Sequence, residues 1–376
     1  MRLVEREPSA HSSPSARSAL GSLLMVLLLS GCWSTNYLLS QAGGQLRLLQ
    51  ARRNISAVLA DPDLDGDVRQ RLQLAAAARR FGVEVLGLRG GDNYTRFLDL
   101  HGGPVAWNLS AAPKDRLRPL TWRFPITGAV PYLGFFTKAD ADRQAAILRA
   151  KDYDVYVREV SGYSTLGLTA DPIYSSMLEG SPARIVEVVL HEMFHGTVYL
   201  SGKSAWNESL ATFVGLHGAA LFFAMTSKGS AGQRVYAEAR ATARLTKTFE
   251  GFLRPYFAEA EALYAKKLPR AETLRLRQEL FDRMRDELLR RWPPRPGHTP
   301  AILNAEGGGI NNAVLASYGV YHHAAPDHAR LYRRLRSDLP AFIALHKLAV
   351  EMYDPLGYLA HIARPDSDLD GVLSRR

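Results

Sequence analysis

The sequence His191-Glu-Met-Phe-His195, with Glu208 thirteen residues further on, constrains the fold of this 376-residue chain more than any other feature. Two histidines four residues apart lie on one face of a helix, one turn apart. Their ring nitrogens can then hold one Zn²⁺, for which Zn–N distances are about 2.0–2.1 Å. Glu208 would add an oxygen ligand from the next helix and leave a fourth position open, as in catalytic zinc sites. We therefore predict a zinc site of His191, His195 and Glu208.

Local signals place this pattern on two helices. Ser181-Pro182 is typical of a helix start, with serine as the N-cap and proline in the first helical position. Ser204 is predicted to cap a second helix, from Ala205 to Met225, whose first turn carries Glu208. Glu192 follows the first histidine and is predicted to be the catalytic base that activates water. The alternative is that both histidines are buried structural residues, because the five-residue pattern also occurs by chance.

The only cysteine of the chain, Cys32, follows an apolar run from Ala19 to Leu29. That run is too short to cross a bilayer and fits the hydrophobic region of a signal peptide. Leu29-Ser-Gly-Cys32 resembles the lipobox of bacterial lipoproteins, in which the cysteine is acylated and begins the mature chain. We therefore predict a signal peptide over residues 1–31 and a membrane partner bound through lipid on Cys32. Lipoproteins that stay in the inner membrane usually carry aspartate directly after the cysteine. This chain has Trp33 there, which favours the periplasmic face of the outer membrane. The alternative is a secreted protein with a free thiol.

Charge and length limit the remaining possibilities. The formal net charge is +10, but the arginines between residues 270 and 291 alternate with acidic residues, which is typical of a solvated helix surface. No aromatic and basic motif accompanies them, so no nucleic-acid partner is expected. We predict one peptidase domain over residues 32–376. It would consist of an N-terminal helical part (33–118), a sheet with the two site helices (119–225) and a C-terminal helical part (226–376).

Periodicity predicts short strands followed by helices. Strands are expected at 121–124, 132–136 and 153–158, with a helix over 138–151 between the last two. The segment 161–168 is expected to continue extended, either as an edge above the site or as an ordinary loop. Further helices are expected over 233–257, 258–267, 270–291 and 313–323, and from Asp327 to about Met352. The predicted fold class is α+β and predominantly helical.

The site motif resembles that of the gluzincins, zinc peptidases whose third ligand is a glutamate on the following helix. More closely, the chain resembles a family of predicted bacterial aminopeptidases, many of them lipoproteins. The resemblance covers about residues 35–370 and rests on Tyr163-Ser-Thr-Leu-Gly167, Asp171-Pro172, the HExxH motif with Asn207-Glu208, and Asn311-Asn312-Ala313 with Tyr318. It implies a zinc-dependent aminopeptidase with a gluzincin-like core and a small β-sheet beside the HExxH helix. The chain departs from the well-known aminopeptidases in its shorter spacer, only twelve residues between His195 and Glu208.

Three further residues are candidates for the active site. Hydrolysis of a peptide bond needs a donor to the developing oxyanion, and Tyr318 or Tyr163 could supply it. Asn311 shares a helix face with Tyr318 and is a candidate for substrate binding. Aromatic residues at helical spacing are more often core, which is the alternative for both tyrosines. Two other functions stay open: an endopeptidase acting on misfolded envelope proteins, and a lipid-anchored binding or scaffold protein with non-catalytic zinc.

Overall fold

The computed structural model describes residues 32–124, 127–166, 169–293, 302, 309–322, 325–364 and 367. The chain forms two compact units, Met1–Ala51 and Arg52–Arg376. In the first unit the described part is one helix, α1 (Cys32–Ala51), which begins at the predicted lipidation site. The predicted signal peptide, residues 1–31, lies outside the described residues.

The second unit is predominantly helical with small sheets, which confirms the predicted α+β class. Its helices are α2 (Ile55–Leu59), α3 (Gly66–Glu84), α4 (Lys138–Ala150), α5 (Pro182–His195), α6 (Ser204–Thr226), α7 (Gly229–Ala265), α8 (Arg270–Arg291), α9 (Asn312–His322), α10 (Ala325–Arg334), α11 (Leu339–Ala349) and α12 (Pro355–Ile362). Its strands are β1 (Arg53–Asn54), β2 (Arg96–Leu98), β3 (Ala106–Pro113), β4 (Trp122–Phe124), β5 (Gly128–Val130), β6 (Leu133–Phe135), β7 (Tyr153–Val160) and β8 (Ile173–Tyr174).

The largest sheet is antiparallel, with strand order β6–β3–β7. Its central strand pairs Leu109 with Leu133 on one side and with Val157 on the other. Helices α4 and α9 both pack against β3, and most of its residues are buried without alternation. Burial on both faces removes the inside-outside pattern that a half-exposed strand shows.

A second sheet, of order β1–β2–β8, leads directly into the first site helix. Strand β2 runs parallel to β8, with Phe97 opposite Ile173, and antiparallel to β1. A short 3₁₀ helix (Ser175–Leu178) follows β8, and α5 begins four residues later. This sheet is therefore the nearest in sequence to α5.

The structure differs from the expected element boundaries in three places. The segment 33–118, expected to be helical, also contains β1, β2 and β3. The two helices expected over 233–257 and 258–267 form one helix, α7, which continues through Pro255. The single helix expected from Asp327 to Met352 is divided into α10 and α11. Arg336 and Ser337, between these two helices, have φ angles of +55° and +61°, which a continuing helix does not allow.

Helix α6 lies at the centre of the second unit and contacts α5, α7, α9, α10 and α11. Among the described residues it is the one helix that is long and apolar enough to cross a membrane by length and composition. Its apolar window is 56% buried inside the protein. Buried polar residues also lie on it, including Asn207 and Ser209, so its apolar character suits a core helix.

Candidate metal centre

Helix α5 begins as its sequence predicts. The Ser181 hydroxyl accepts the backbone N–H of Arg184, and Pro182 occupies the first helical position. The apolar side chains of its middle turns are almost fully buried, so the helix passes through the core with its last two turns at the site. His191 and His195 therefore lie one turn apart at the carboxyl end, and the helix ends at Gly196.

Two glycines of α6 allow this helix to approach α5 closely. A Cβ at Gly215 would lie 2.8 Å from the carbonyl oxygen of Glu187 and 3.3 Å from the Cβ of His191. A Cβ at Gly218 would lie 2.7 Å from a methyl group of Leu190. Contacts shorter than 3 Å cannot be kept in a packed interior. At Gly215 the close atom belongs to the backbone, so a larger residue would push the helices apart, whereas at Gly218 the Leu190 side chain would have to shift.

The connection between the two helices is held by Asn207. Its side-chain amide donates to the carbonyl oxygen of Leu200 at 2.8 Å, and its Oδ1 accepts the N–H of the same residue at 2.9 Å. Ser204 was expected to cap this helix through its side chain, but it does not. It is instead the first residue of the helix, and its hydroxyl donates to the carbonyl oxygen of Ala129 at 3.3 Å. These bonds fix the first turn of α6, on which Glu208 lies.

The three predicted ligands meet between the helices. The Nε2 atoms of His191 and His195 are 3.1 Å apart, and each lies 3.6 Å from Oε2 of Glu208. Two ligands of a tetrahedral ion with bond lengths of about 2.0–2.1 Å are about 3.3 Å apart, close to these distances. Two imidazoles and one carboxylate are also a donor set that Zn²⁺ uses. The described residues contain one such group of potential ligand atoms, all within 4.8 Å of one another, and it fits a metal ion.

The three candidate ligands shift one another's pKa values. Burial alone would raise the pKa of Glu208, but the imidazoles of His195 and His191 outweigh it, so the pKa lies well below its usual range. Burial lowers the pKa of His195, but the carboxylate of Glu208 raises it more, so the net shift is upward. The Nδ1 atom of His195 is buried and has no hydrogen-bond partner in the described part of the chain. The Nδ1 side of this ring, which points away from Glu208, is therefore held by packing and not by a hydrogen bond to any described residue.

Glu192 lies beside the three ligands and is not one of them. Its side chain is 8% exposed, and burial raises the pKa of its carboxyl group, although the nearby histidines lower it. The segment after β7 covers it, because a Cβ at Gly162 would lie 3.5 Å from the Cγ of Glu192. A buried carboxylate next to a candidate metal position is suited to proton transfer.

The other predicted site residues lie in different surroundings. The Tyr163 ring stacks on Tyr174, with ring centres 5.8 Å apart, and follows Gly162 in the segment next to Glu192. Tyr318 packs edge-on against Phe249 at 5.7 Å, on the core cluster formed by α7, α8 and α9. Its surroundings are those of a packed aromatic residue, and its role in stabilising an oxyanion stays a prediction.

Asn311 has a structural role at the start of α9. Its Oδ1 accepts the N–H of Val314 at 2.9 Å, as a helix cap does, and its amide donates to the carbonyl oxygen of Val155 at 3.1 Å. Both ends of the side chain are thus used in the fold, and substrate binding by Asn311 stays a prediction. Cys32 is the first residue of α1, in the other unit.

Two residues near Glu192 are not among the site residues that the sequence predicts. Tyr94 is buried, and burial followed by the negative charges of Glu192 and Asp171 raises the pKa of its hydroxyl. Asp171 is 1% exposed, and its carboxylate accepts four hydrogen bonds from Ser164, Thr165 and Thr169. The signal for Asp171 was its position in the motif Asp171-Pro172, but no spacing rule connects it to the HExxH helix.

A second group of histidines, which we call the aromatic histidine cluster, consists of His217, His328 and His346. The rings of His328 and His346 are 6.0 Å apart, and the His217 ring lies 4.2 Å from that of Phe213. Burial lowers the pKa values of the three histidines to about 4, 3 and 4, respectively. These histidines do not form a group of metal-ligand atoms in the described residues.

Comparison with known proteins identifies the family to which this chain belongs. The protein family described as "putative aminopeptidase" matches residues 36–353, which is most of the chain. The chain therefore belongs to this family, and the match supports peptidase function. No curated protein and no solved structure matches it.

Proposed function

We propose that this protein is a zinc-dependent peptidase, and an aminopeptidase in particular, that hydrolyses peptide bonds with an activated water. The observation that carries the proposal is the convergence of His191, His195 and Glu208 with the buried carboxylate of Glu192 beside them. The family match supports peptide hydrolysis independently of that geometry. The gluzincin-like arrangement, a glutamate ligand on the helix after HExxH, is part of the same proposal.

His191, His195 and Glu208 would hold the ion. When bound there, Zn²⁺ supplies Lewis acidity to the scissile carbonyl and lowers the pKa of a coordinated water towards about 7. Glu192 accepts a proton from the attacking water on a carboxylate oxygen as the water oxygen bonds to the carbonyl carbon. Glu192 then delivers that proton to the amide nitrogen as the C–N bond breaks, so a carboxylic acid and an amine leave.

The proposal is tested with Glu192→Gln, which keeps the shape of the side chain and removes the base. We expect peptidase activity of the zinc-loaded protein to fall at least about 100-fold, the usual contribution of a positioned base, with bound zinc unchanged. Glu179→Gln is the matched control, because Glu179 is exposed just before α5. Full activity in Glu192→Gln with zinc still bound would contradict the mechanism and favour a scaffold with non-catalytic zinc.

An endopeptidase is the second candidate, and one observation favours it. An aminopeptidase needs an acidic group for the free amine of its substrate. Two acidic side chains near the site are already engaged within the fold: Asp171 accepts four hydrogen bonds, and Glu187 pairs with Arg184 at 2.8 Å. Cleavage of matched peptides with free and acetylated amino termini separates the two functions. Equal rates on both peptides would exclude the aminopeptidase.

The proposed location is the periplasmic face of the outer membrane, with lipid on Cys32. The support is the lipobox-like Leu29-Ser-Gly-Cys32 and the apolar run before it. Replacement of Cys32 by serine removes the acylated atom. We expect the Cys32→Ser protein to leave the membrane fraction while the zinc content per chain is unchanged. Persistence of the variant in that fraction would contradict the anchor.

A further inference from the structure

The buried carboxylate of Asp171 organises the segment before it. Its Oδ2 accepts the N–H of Thr165 at 2.8 Å and the hydroxyl of Ser164 at 3.2 Å. Its Oδ1 accepts the hydroxyl of Thr165 at 2.7 Å and that of Thr169 at 3.4 Å. A carboxylate offers about four acceptor positions, so this one is fully used by its own loop. We call the described residues 161–166 and 169–171 the Asp171 loop.

The Asp171 loop is attached to a distant part of the chain. The N–H of Asp171 donates to Oδ1 of Asn93 at 2.9 Å, and the N–H of Tyr94 donates to the carbonyl oxygen of Asp171 at 2.6 Å. Arg79 on α3 in turn donates to the carbonyl oxygen of Asn93 at 2.7 Å. The carboxyl end of the loop is thus tied through residues 93 and 94 to a helix that itself packs on α5.

The amino end of the loop covers Glu192. The hydroxyl of Ser176 donates to the carbonyl oxygen of Ser161 at 2.5 Å. A Cβ at the next residue, Gly162, would lie 3.1 Å from Cγ of Met177 and 3.5 Å from Cγ of Glu192. A distance of 3.5 Å from an added Cβ is an ordinary van der Waals contact, so the backbone of the loop lies directly beside the methylene groups of the proposed base.

Backbone conformation shows that the surrounding contacts determine this arrangement. Leu166 in the loop has φ +58° and Tyr94 beside it has φ +59°. Residues other than glycine adopt the left-handed region at a cost of about 1–3 kcal/mol and keep it only when neighbouring interactions hold them there. The hydrogen bonds of Asp171 to Thr165 and to the N–H of Tyr94 act directly next to these two positions.

We infer that Asp171 is a positioning residue for Glu192: it holds the Asp171 loop against the base and so fixes the carboxylate in the orientation that proton transfer needs. This inference rests on the proposed function and deepens it. Asp171 touches neither the candidate ligands nor, by this assignment, the amine of the substrate. Its effect is exerted through Gly162, so its loss lowers the rate of the chemical step more than it weakens substrate binding.

The test compares Asp171→Asn with the wild type, both as full-length zinc-loaded protein acting on the peptide that the wild type cleaves fastest. Asparagine places an NH₂ group against donors, so part of the loop must separate. We expect kcat to fall about 10- to 100-fold with KM changed less than about 3-fold, as for a misplaced catalytic group. Zinc content stays at the wild-type value, and the amides of residues 161–170 exchange hydrogen about 10-fold faster or more.

Asp154→Asn is the matched control, because Asp154 is also a buried carboxylate but binds Arg277 at 2.7 Å and the N–H of Asn312 at 3.0 Å. It should lower the melting temperature and leave kcat within about 3-fold of the wild type, since it only reduces stability. An equal loss of kcat in Asp154→Asn and Asp171→Asn would overturn the inference, because both effects would then be losses of stability.

The pair Thr165→Val and Thr165→Ser keeps the inference testable if Asp171→Asn does not fold. Valine removes the hydroxyl that donates to Asp171 at 2.7 Å, whereas serine retains it. We expect lower kcat and faster loop exchange in the valine variant and recovery of both in the serine variant. Unchanged kcat and exchange in the valine variant would overturn the inference and leave the proposed function standing.

A wild-type protein that holds zinc but cleaves no peptide would instead contradict the proposed function, while the exchange data still report whether Asp171 holds the loop.

Discussion

Helix α6 contributes to two histidine clusters whose histidine pKa values are shifted in opposite directions. At its first turn Glu208 approaches His191 and His195, and the pKa of His195 is raised in spite of burial. Nine residues further, about half a turn round the helix, His217 belongs to the aromatic histidine cluster, where burial lowers all three pKa values. Both clusters consist of imidazoles in the core. The difference lies in the carboxylates beside the first cluster, Glu208 above all, so Glu208 together with the histidines makes it a candidate cation site.

Removal of that carboxylate should have the largest effect. Glu208→Gln replaces an anionic ligand by a neutral amide, so the metal centre comes to resemble the aromatic histidine cluster. We expect zinc affinity and peptidase activity to fall at least about 100-fold, since even groups behind the ligands contribute 10- to 100-fold. Zinc content after dialysis and initial rates measure this. Full zinc occupancy in the variant would mean that the two histidines suffice.

Zinc should stabilise the first cluster and not the second. A ligand that binds only the folded state adds about 2.7 kcal/mol at a free concentration of 100 times Kd. We expect zinc to stabilise the wild type by about this free energy, so that its melting temperature rises on addition of zinc and returns to the starting value with a chelator. The shift should be absent in Glu208→Gln and retained in His346→Leu. A shift of equal size in Glu208→Gln would place the zinc elsewhere.

The aromatic histidine cluster should make the fold sensitive to acid. The folded pKa of His346 is about 4 and the ordinary value is 6.5, so below pH 6.5 the unfolded chain binds the proton more readily. Stability is therefore lost as pH falls from about 6.5 towards 4, by on the order of 2 kcal/mol at pH 5 for this one group.

His346→Leu should remove the loss of folding stability at low pH that His346 causes. Urea unfolding at pH 8 and pH 5 measures the difference between the two free energies of unfolding. His101→Leu is the control, because the His101 side chain is 87% exposed. The same difference in His346→Leu and the wild type would show that this histidine does not carry the acid sensitivity.

The close approach of α5 and α6 should give the smallest effect. Gly215→Ala places a methyl group 2.8 Å from the carbonyl oxygen of Glu187 and should destabilise the fold by about 1 kcal/mol, the low end for an added methyl in a packed interior. Gly251→Ala on α7 meets nothing within 4 Å and should stabilise by up to about 1 kcal/mol through helix propensity. Urea unfolding of both variants measures this. Changes of the same sign would contradict the close-packing argument.

The parts of the molecule that could be predicted from the sequence depend on local interactions. The N-cap of α5, the spacing of His191 and His195 and the position of Glu208 follow from helix geometry and short-range signals. The α+β class follows from the same patterns.

The remaining features depend on distant contacts. Strand β3 was missed because both of its faces are covered, which removes alternation. The role of Asp171 depends on contacts with Asn93 and Tyr94, which are more than seventy residues away in sequence. The glycine contacts of Gly215 and Gly218 appear only when α6 lies on α5.

The short connection between α5 and α6 has a consequence for folding kinetics. His191 and Glu208 are seventeen residues apart, and Asn207 closes the turn between their helices through contacts only seven residues long. Pairings over such short separations form early, because little chain entropy is lost when a short loop closes. We therefore expect the helix pair to assemble before the sheet β6–β3–β7 and the C-terminal helices. The three candidate ligands would then lie together on a nascent chain while most of the fold is still forming.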